Sequence, residues 1–519
     1  MVTKVQIRVH EYHDSVRLMQ VSERVRREEG VQETILMMGT DNNKKILATA
    51  GLHTAEVEAA AANDLIVAIV ADSQEAAKRA LEKANALLMQ RASGVSNTYR
   101  SVEAALGAMP DANLALISIP GEYAAAEARR ALEHGLHVML FSDNVAIEDE
   151  LELKKLARER GLLVMGPDCG TAVIGQARLG FANVVRHGVV GIVGASGTGI
   201  QELSVLLHRQ GVGISHAIGT GGRDLDAAVG GLTMLAAIEY LAADVNTEII
   251  VLTSKPPDPE VARKVLESAA RCGKPVVVNF LGGDPGMISA AGLTPAATLK
   301  DSVNEVLYLT AGDVSQGSGP GTAEIELQSL ATREAQRLGP EQLYLRGLFS
   351  GGTLCYEAML ILREQIGEVY SNIPLNKKYH LTDPSTCREN TLLDLGDDAF
   401  TQGRAHPMID PALRNQRLLQ EARDPELGVI LLDVVLGFGA HANPVEGLVD
   451  AIQQSRRQAE KEKRHFVVVA SVCGTEEDPQ QRSRQEKLLS DAGVLVANSN
   501  AEASRLAGAI ILANRQAGK

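Results

Sequence analysis

The sequence predicts a multidomain α/β protein built on doubly wound parallel sheets, with a small α/β domain at its N-terminus. Three observations carry this. A chain of 519 residues exceeds the roughly 100–200 residues of one domain. Short apolar runs alternate with helical stretches from Ala112 onward, as in parallel sheets covered on both faces. The 48 glycines gather where strands hand over to helices, at tight turns that other residues resist.

From Lys4 to about Gln90 the pattern is strand, helix, strand, helix, strand: KVQIRVH, SVRLMQVSERVRRE, ETILMMG, then a loop and DLIVAIVA. Asp14-Ser15 precedes the first apolar-periodic run and reads as a helix N-cap. Small polar residues between Gln90 and Arg100 make the first linker. A second unit, Ala112 to Gly180, has strands NLALISI, HVMLF and LLVM. Its turns at Ser118–Gly121, Ser142–Asn144 and Met165–Asp168 lie at strand C-terminal ends, where ligands of open α/β sheets collect. The third unit runs from Gly188 to about Gly312 with strands VVGIVG, ISHAIGTG, TEIIVLTSK and PVVVNFLG. A Gly-, Ser- and Pro-rich boundary opens at Gly312. The fourth unit, from Gln342, has strands YLRGLFS, TLLDLG, GVILLDVVLG, HFVVVAS and VLVA.

Apolar residues at 45% and charged ones at 22% are the balance of an ordinary globular chain. A formal charge of −14 opposes nucleic acid, and no basic stripe offsets it; the charge-dense Arg456–Arg464 reads as a solvated helix end. Five widely spaced cysteines form no Cys-x-x-Cys pair, which points to a reducing, cytoplasmic compartment and away from a zinc ribbon. No membrane span is expected. His134 and His137 straddle a helix end and a strand start, so no metal site is expected there.

The chemistry begins with an internal repeat. GIVGASGTGIQELSVLL and RGLFSGGTLCYEAMLIL each place an apolar strand before a Gly-Thr, and each has a glutamate four residues after the threonine, Glu202 and Glu357. A helix that starts at such a turn offers free N–H groups and the positive end of its dipole to an anion. Gly194, Ser196, Gly197, Thr198 and Gly199 form the first candidate phosphate site. Gly351, Gly352 and Thr353 form the second, and Gly437 and Gly439 in LGFGAH a third. Neither copy is a Walker loop or a Gly-x-Gly-x-x-Gly fingerprint. The alternative role of each turn is a simple helix cap.

These residues resemble the FdrA family of succinyl-CoA-synthetase-like proteins over nearly the whole chain. The motifs are HDSVRLM near the start, FSDN at 141–144, MGPDCGT at 165–171, VGASGTG at 193–199, IGTGGRDL at 218–225, SKPP at 254–257, SGGTL at 350–354, LLDLGDD at 392–398, GRAHPMIDP at 403–411 and GFGAHANP at 437–444. The resemblance implies an α-subunit-like region fused to a second ligase domain. It divides the chain into an N-terminal domain (1–95), a CoA-binding-like Rossmann domain (100–185) and two flavodoxin-like ligase domains (186–315 and 340–519). It also implies carbamoyl transfer between carbamoyl phosphate and oxamate in anaerobic allantoin breakdown, with companion subunits and a carbamate kinase as partners.

Departures from the synthetase pattern shape the expected mechanism. The second unit opens without the glycine loop that cradles CoA, no ATP-grasp domain fits, and no histidine occurs between His216 and His380. Tight binding of CoA or ATP is therefore not expected, and phosphate or carbamoyl phosphate is the expected ligand. Where the synthetase places a glutamate to hold its phosphohistidine, this chain has Ser254-Lys255, and a lysine suits a phosphoryl group held directly. Lys255 and His406 are the candidate catalytic residues, His406 because its ordinary pKa lies near neutrality. Arg223, Arg404 and Arg414 are the candidate clamp for a small acid. The alternatives are an NDP-forming acyl-CoA synthetase and a non-catalytic metabolite-sensing subunit.

Overall fold

The computed structural model describes the chain except His10, Tyr12, Asp14, Arg27 and residues 41–42, 45–46, 49–51, 53, 90–97, 312–319, 402–404 and 518–519. The Asp14 cap, most of the 90–100 linker, the boundary opening at Gly312 and Arg404 lie outside the described residues. Two compact units form: Met1–Ala112 with Phe400–Asp410, and Asn113–Ala399 with Pro411–Lys519.

The first unit holds β1 (Val2–Arg8), α1 (Ser15–Arg26), β2 (Val31–Met38), α2 (Ala55–Ala59), β3 (Leu65–Ala71) and α3 (Gln74–Met89). Its sheet is antiparallel in the order β1-β3-β2. The central strand is apolar at every position because both its faces are covered. Leu65, Val67 and Ile69 pack against Leu18, Val21 and Val25 of α1 and Ala77, Ala80 and Ala84 of α3. Ile66 and Ala68 face a second cluster with Leu47 and Val57. The segment 400–410, expected to serve the fourth unit, belongs here, and Arg26 pairs with Asp410 at 3.6 Å.

The second unit opens with a three-stranded parallel sheet: β4 (Leu114–Ile117), α4 (Gly121–Glu133), β5 (His137–Leu140), α5 (Ile147–Glu159) and β6 (Val164–Met165). The hairpin β7 (Thr171–Ile174) and β8 (Ala177–Gly180) follows, unforeseen from the sequence because both strands are short and turn at Gly175. It adds two antiparallel strands to the next sheet.

That sheet is formed by β9 (His187–Gly194), α6 (Gly197–Arg209), β10 (Ile214–Gly219), α7 (Leu232–Ala243), β11 (Ile249–Ser254), α8 (Pro259–Ala270), β12 (Val276–Phe280), β13 (Thr294–Pro295) and α9 (Leu299–Ala311). Its order is β13-β12-β11-β9-β10-β7-β8. The last sheet is formed by β14 (Tyr344–Phe349), α10 (Gly352–Ile366), β15 (Tyr370–Ser371), β16 (Thr391–Asp394), α11 (Ala412–Glu421), β17 (Leu427–Val435), α12 (Glu446–Lys461), β18 (Val467–Cys473), α13 (Arg482–Asp491), β19 (Leu495–Ala497) and α14 (Asn500–Ala517). Its order is β15-β16-β14-β17-β18-β19. Apart from β7, β8 and β15, both sheets run 2-1-3-4-5, the flavodoxin-like order. The repeat read from the sequence is a duplicated fold.

The two repeat glutamates join the copies reciprocally. Glu202 of α6 accepts from the Asn500 N–H at 3.0 Å, the first residue of α14. Glu357 of α10 accepts from the Leu299 N–H at 2.7 Å, the first residue of α9, and from the Asn500 side chain at 2.7 Å. Each copy thus satisfies an orphan donor at the start of the other's last helix.

Burial pushes the Glu357 carboxyl up from 4.5 to about 7, against its hydrogen bonds from Asn500 and Leu299. A carboxyl whose folded pKa lies above its unfolded value binds its proton more tightly in the native state. Its stabilising contribution is therefore full below about pH 4.5 and is lost as the pH rises through 7. Urea midpoints should fall between pH 5 and pH 7.5, with a shallower slope in Glu357→Gln; an identical slope in that variant would exclude Glu357 as the source.

Candidate functional site

The first Gly-Thr turn follows β9, whose last residue must be glycine: a Cβ on Gly194 would lie 2.8 Å from Thr253 and 2.9 Å from Ile200. Ser196 is the N-cap of α6, its hydroxyl accepting from the Gly199 N–H at 2.9 Å. This is the capping role the sequence offered as the alternative, yet it uses only one of the four donors at a helix start. Among the described residues nothing in the protein accepts from the Gly197 and Thr198 N–H groups. A Cβ on Gly197 would meet only Thr171, at 3.3 Å.

The second turn meets the first. Ser196 donates its hydroxyl proton to Thr353 Oγ1 at 2.6 Å in a buried contact, and a Cβ on Gly351 would lie 2.8 Å from the Thr198 side chain. The starts of α6 and α10 thus come together across the copies. The second turn differs from the first, because its Ser350 and Gly351 N–H groups donate to the Asp433 carboxylate at 2.7 and 2.8 Å. Gly352 has Asp394 Oδ2 2.3 Å from where its Cβ would stand.

Lys255, at the end of β11, gives this meeting place its charge. Its ammonium lies 5.8 Å from the Tyr356 ring of α10 and acts electrostatically on Asp394 of one copy and on Asp168 of the MGPDCGT turn. Asp394 ends β16 with its side chain buried. Burial raises its pKa to about 7, opposed first by Lys255 and then by the Gly396 N–H at 3.0 Å. Asp168 is exposed at its surface yet closely surrounded by protein. Desolvation, followed by Asp143 and Asp398, raises it to about 6, while Arg223 and Lys255 oppose the rise. The MGPDCGT turn is held there by close backbone packing: Gly221, at φ +86°, lies against the Pro167 carbonyl. Both aspartates stand in motifs visible in the sequence, MGPDCGT and LLDLGDD; their position at strand C-terminal ends was the available signal.

The remaining candidates do other work. Arg414 is 2% exposed and donates to Ser350 Oγ at 3.1 Å, the Asp433 carbonyl at 2.7 Å and the Pro444 carbonyl at 3.4 Å. It is an internal brace and not the solvent-facing clamp expected, because α11 turns it toward the end of β17. Arg223 donates to the Val145 carbonyl at 2.8 Å and pairs with Glu150 at 2.9 Å, leaving its side chain 42% exposed beside Asp168. His406 belongs to the first unit and Lys255 to the second. Burial lowers the His406 imidazole to about 4, so it is neutral at physiological pH, and its Nδ1 accepts from the Met408 N–H at 3.2 Å. In the third turn the Gly437 N–H donates to Gln480 and the Phe438 N–H to the Ala182 carbonyl, while Gly439 packs on Phe181. All five cysteines are free. Among the described residues no helix is long and apolar enough to cross a membrane.

Two flavodoxin-like halves meeting at their Gly-Thr turns give the chain a succinyl-CoA-synthetase-like fold. A CoA-ligase family model matches residues 348–510, a CoA binding domain model 185–282, and a model described as AllF, heavy metal-associated domain, 1–104. The chain belongs to the family of protein YahF of Escherichia coli K12, 45% identical over 523 residues and covering 100% of both chains. It is also similar to the ADP-forming succinate–CoA ligase subunit alpha-2 of Trichomonas vaginalis, 33% identical over 33% of this chain and 57% of that subunit. Subunit alpha 2 of the Archaeoglobus fulgidus ligase is 28% identical over 44% and 72%. The N-terminal model's name implies a metal. Residues 1–104 contain no cysteine, and no group of three His, Cys, Asp or Glu among the described residues is placed to hold an ion. Residues 1–104 therefore lack the thiolates that suit soft metals.

Proposed function

We propose that this chain moves an acyl group between phosphate and an acceptor, as an acyl-CoA ligase does, without a phosphohistidine relay. The observation that carries this is Lys255, acting on both Asp168 and Asp394 at the place where the two Gly-Thr turns meet. Phosphoryl oxygens of an acyl phosphate would rest on the Gly197 and Thr198 N–H groups, with the charge of Lys255 beside them. The acceptor, a thiol such as that of CoA, gives its proton to a carboxylate as it attacks the acyl carbon. The bond between the acyl carbon and the bridging phosphate oxygen breaks, and inorganic phosphate leaves. Carboxyls raised to about 6 and 7 are bases suited to neutral pH. On this reading 340–519 is a ligase domain, and the CoA-binding role expected of 100–185 falls to 186–315, where the CoA binding domain model matches.

A second reading is favoured by the AllF-type match over residues 1–104 together with the FdrA resemblance. The acyl group is then carbamoyl, the acceptor oxamate, and companion subunits and a carbamate kinase complete the system. One assay separates the readings: the purified chain, alone and with co-purifying subunits, is given acetyl phosphate with CoA or carbamoyl phosphate with oxamate. Acyl-CoA supports the first and carbamoylated oxamate the second. Neither product with all subunits present, and no arsenolysis of either phosphate, removes the enzymatic reading.

Gly197→Val should weaken inorganic phosphate binding by roughly tenfold or more, since the new side chain would stand between the Thr171 hydroxyl and the anion's place. Isothermal titration measures it, and an unchanged affinity would take the anion away from this turn.

A further inference from the structure

The duplicated fold allows the two copies to be laid over one another. With Thr198 placed on Thr353, Gly194 falls on Phe349, and their ladder partners are Gly219 and Asp394. Asp394 therefore stands where the first copy has glycine. The copies differ again just before that strand. The first passes from α6 to β10 through residues 210–213, whereas the second passes from α10 to β16 through residues 367–390, an insert that carries β15. The copy with the carboxylate is the copy with the insert.

The insert grips the backbone of that aspartate. Tyr370 pairs with Thr391 and Ser371 with Leu392, and there the ladder between β15 and β16 stops. The side chain of Asn372 takes over: its Nδ2 donates to the Asp394 carbonyl at 3.0 Å, and its Oδ1 accepts from the Asp394 N–H at 3.0 Å. A primary amide carries the donor and the acceptor of a peptide group, so Asp394 is held as if the strand continued. On its other side Asp394 pairs with Phe349 of β14. The insert is itself anchored, with Arg388 stacked 4.0 Å over the Tyr370 ring and the Tyr370 and Tyr379 rings edge to face at 5.3 Å. A backbone held on both edges fixes the direction in which Asp394 projects. Its Oδ1 accepts from the Gly396 N–H, and its Oδ2 lies 2.3 Å from where a Cβ on Gly352 would stand, at the start of α10.

We propose that Asn372 is a positioning residue, which holds Asp394 in place to serve as the base in acyl transfer. The role of Asp394 as base rests on the reading above; the grip of Asn372 on it does not. The charged and titratable groups that act on Asp394 are Lys255 at the end of β11, Asp397 beyond β16, Asp433 of β17 and Cys355 of α10. Both contacts of the Asn372 amide go to Asp394, so its removal acts on the site through that residue.

Asn372→Ala should let the end of β16 open and water reach Asp394. Burial is the largest cause of that carboxyl's rise to about 7, so its ionisation should move down, by roughly half a pH unit or more. Two readouts on the full chain follow it. The infrared band of the protonated Asp394 carboxyl, assigned by its loss in Asp394→Asn, reports the ionisation without turnover. The acid limb of kcat, measured with acetyl phosphate and CoA and with carbamoyl phosphate and oxamate, should move down with the band. Plateau kcat should fall roughly tenfold while KM stays nearly unchanged. Asn372→Gln, which keeps the amide but carries it too far, should fall between the wild type and alanine, and it replaces alanine if that variant does not fold. Ser371→Ala is the control: it removes the hydroxyl that accepts from the Ile373 N–H at 3.1 Å at the same strand end, and should leave band and limb where they are. An unmoved band and limb in the folded Asn372 variants, or an equal movement in Ser371→Ala, would reduce Asn372 to strand support and overturn the proposal. A band that moves while the wild type turns over neither acyl phosphate would leave the grip standing and refute Asp394 as the base.

Discussion

Replacing Lys255 with glutamate should lower turnover of an acyl phosphate by at least roughly 30-fold, about 2 kcal/mol of transition-state stabilisation. The reversed charge would face Asp168 and Asp394 directly, the two carboxyls whose raised pKa values Lys255 now opposes. Lys255→Arg should be milder without being silent, because a planar guanidinium presents its charge differently from a compact ammonium. Steady-state kcat/KM for both variants is the measurement. Labelled acyl phosphate should leave no acid-labile phosphate on the wild type. His216, the nearest histidine in sequence before the gap, is occupied: its Nδ1 accepts from the Gly175 N–H at 3.0 Å and its Nε2 lies 3.5 Å from Asp244. A stoichiometric phosphohistidine at His216, His406 or His441, alongside a fully active Lys255→Glu, would sink direct transfer.

Lys154→Ala should cost about 3–5 kcal/mol of stability, the range for removing one partner of a buried ion pair. The ammonium is 1% exposed and donates to Glu150 and Asp224, each at 2.8 Å, and to the Thr220 carbonyl at 3.1 Å. Asp224 in turn accepts from the Thr233 and Met234 N–H groups at the start of α7. The variant would leave Asp224 buried without its cation and Glu150 with Arg223 alone, and would release the IGTGGRDL turn from α5. Urea unfolding measures the loss; a change under about 1 kcal/mol, the size of an exposed pair, would show that the network is not holding this turn.

Much of this architecture was legible in the sequence because its signals are local. The principal strands of the two halves were visible as short, mostly apolar runs between helical stretches, and the duplication as a Gly-Thr with a glutamate four residues on. Side-chain destinations set by distant parts of the chain were not legible. The Ser196–Thr353 bond joins residues 157 positions apart, and nothing in either neighbourhood signals it. Arg414 looks like any polar residue of an amphipathic helix, and only the packing of α11 against the end of β17 buries it. His406 looked like a companion to Lys255 because its motif lies among those of the last half, whereas its segment belongs to the first unit. Asp433 was hidden inside an apolar strand, where a lone acid reads as an irregularity until its two N–H partners are seen.

The exchange of helix ends between the copies bears on how this protein could have arisen and how it comes apart. Glu202 closes the start of α14 and Glu357 the start of α9, so a half expressed alone would expose an open helix end that only its sibling can close. A hinge that swung the halves apart would break both closures together. Hydrogen exchange at the first turns of α9 and α14 should then follow one opening event, and the gene could be split between Gly312 and Gly339 only if both pieces were supplied together.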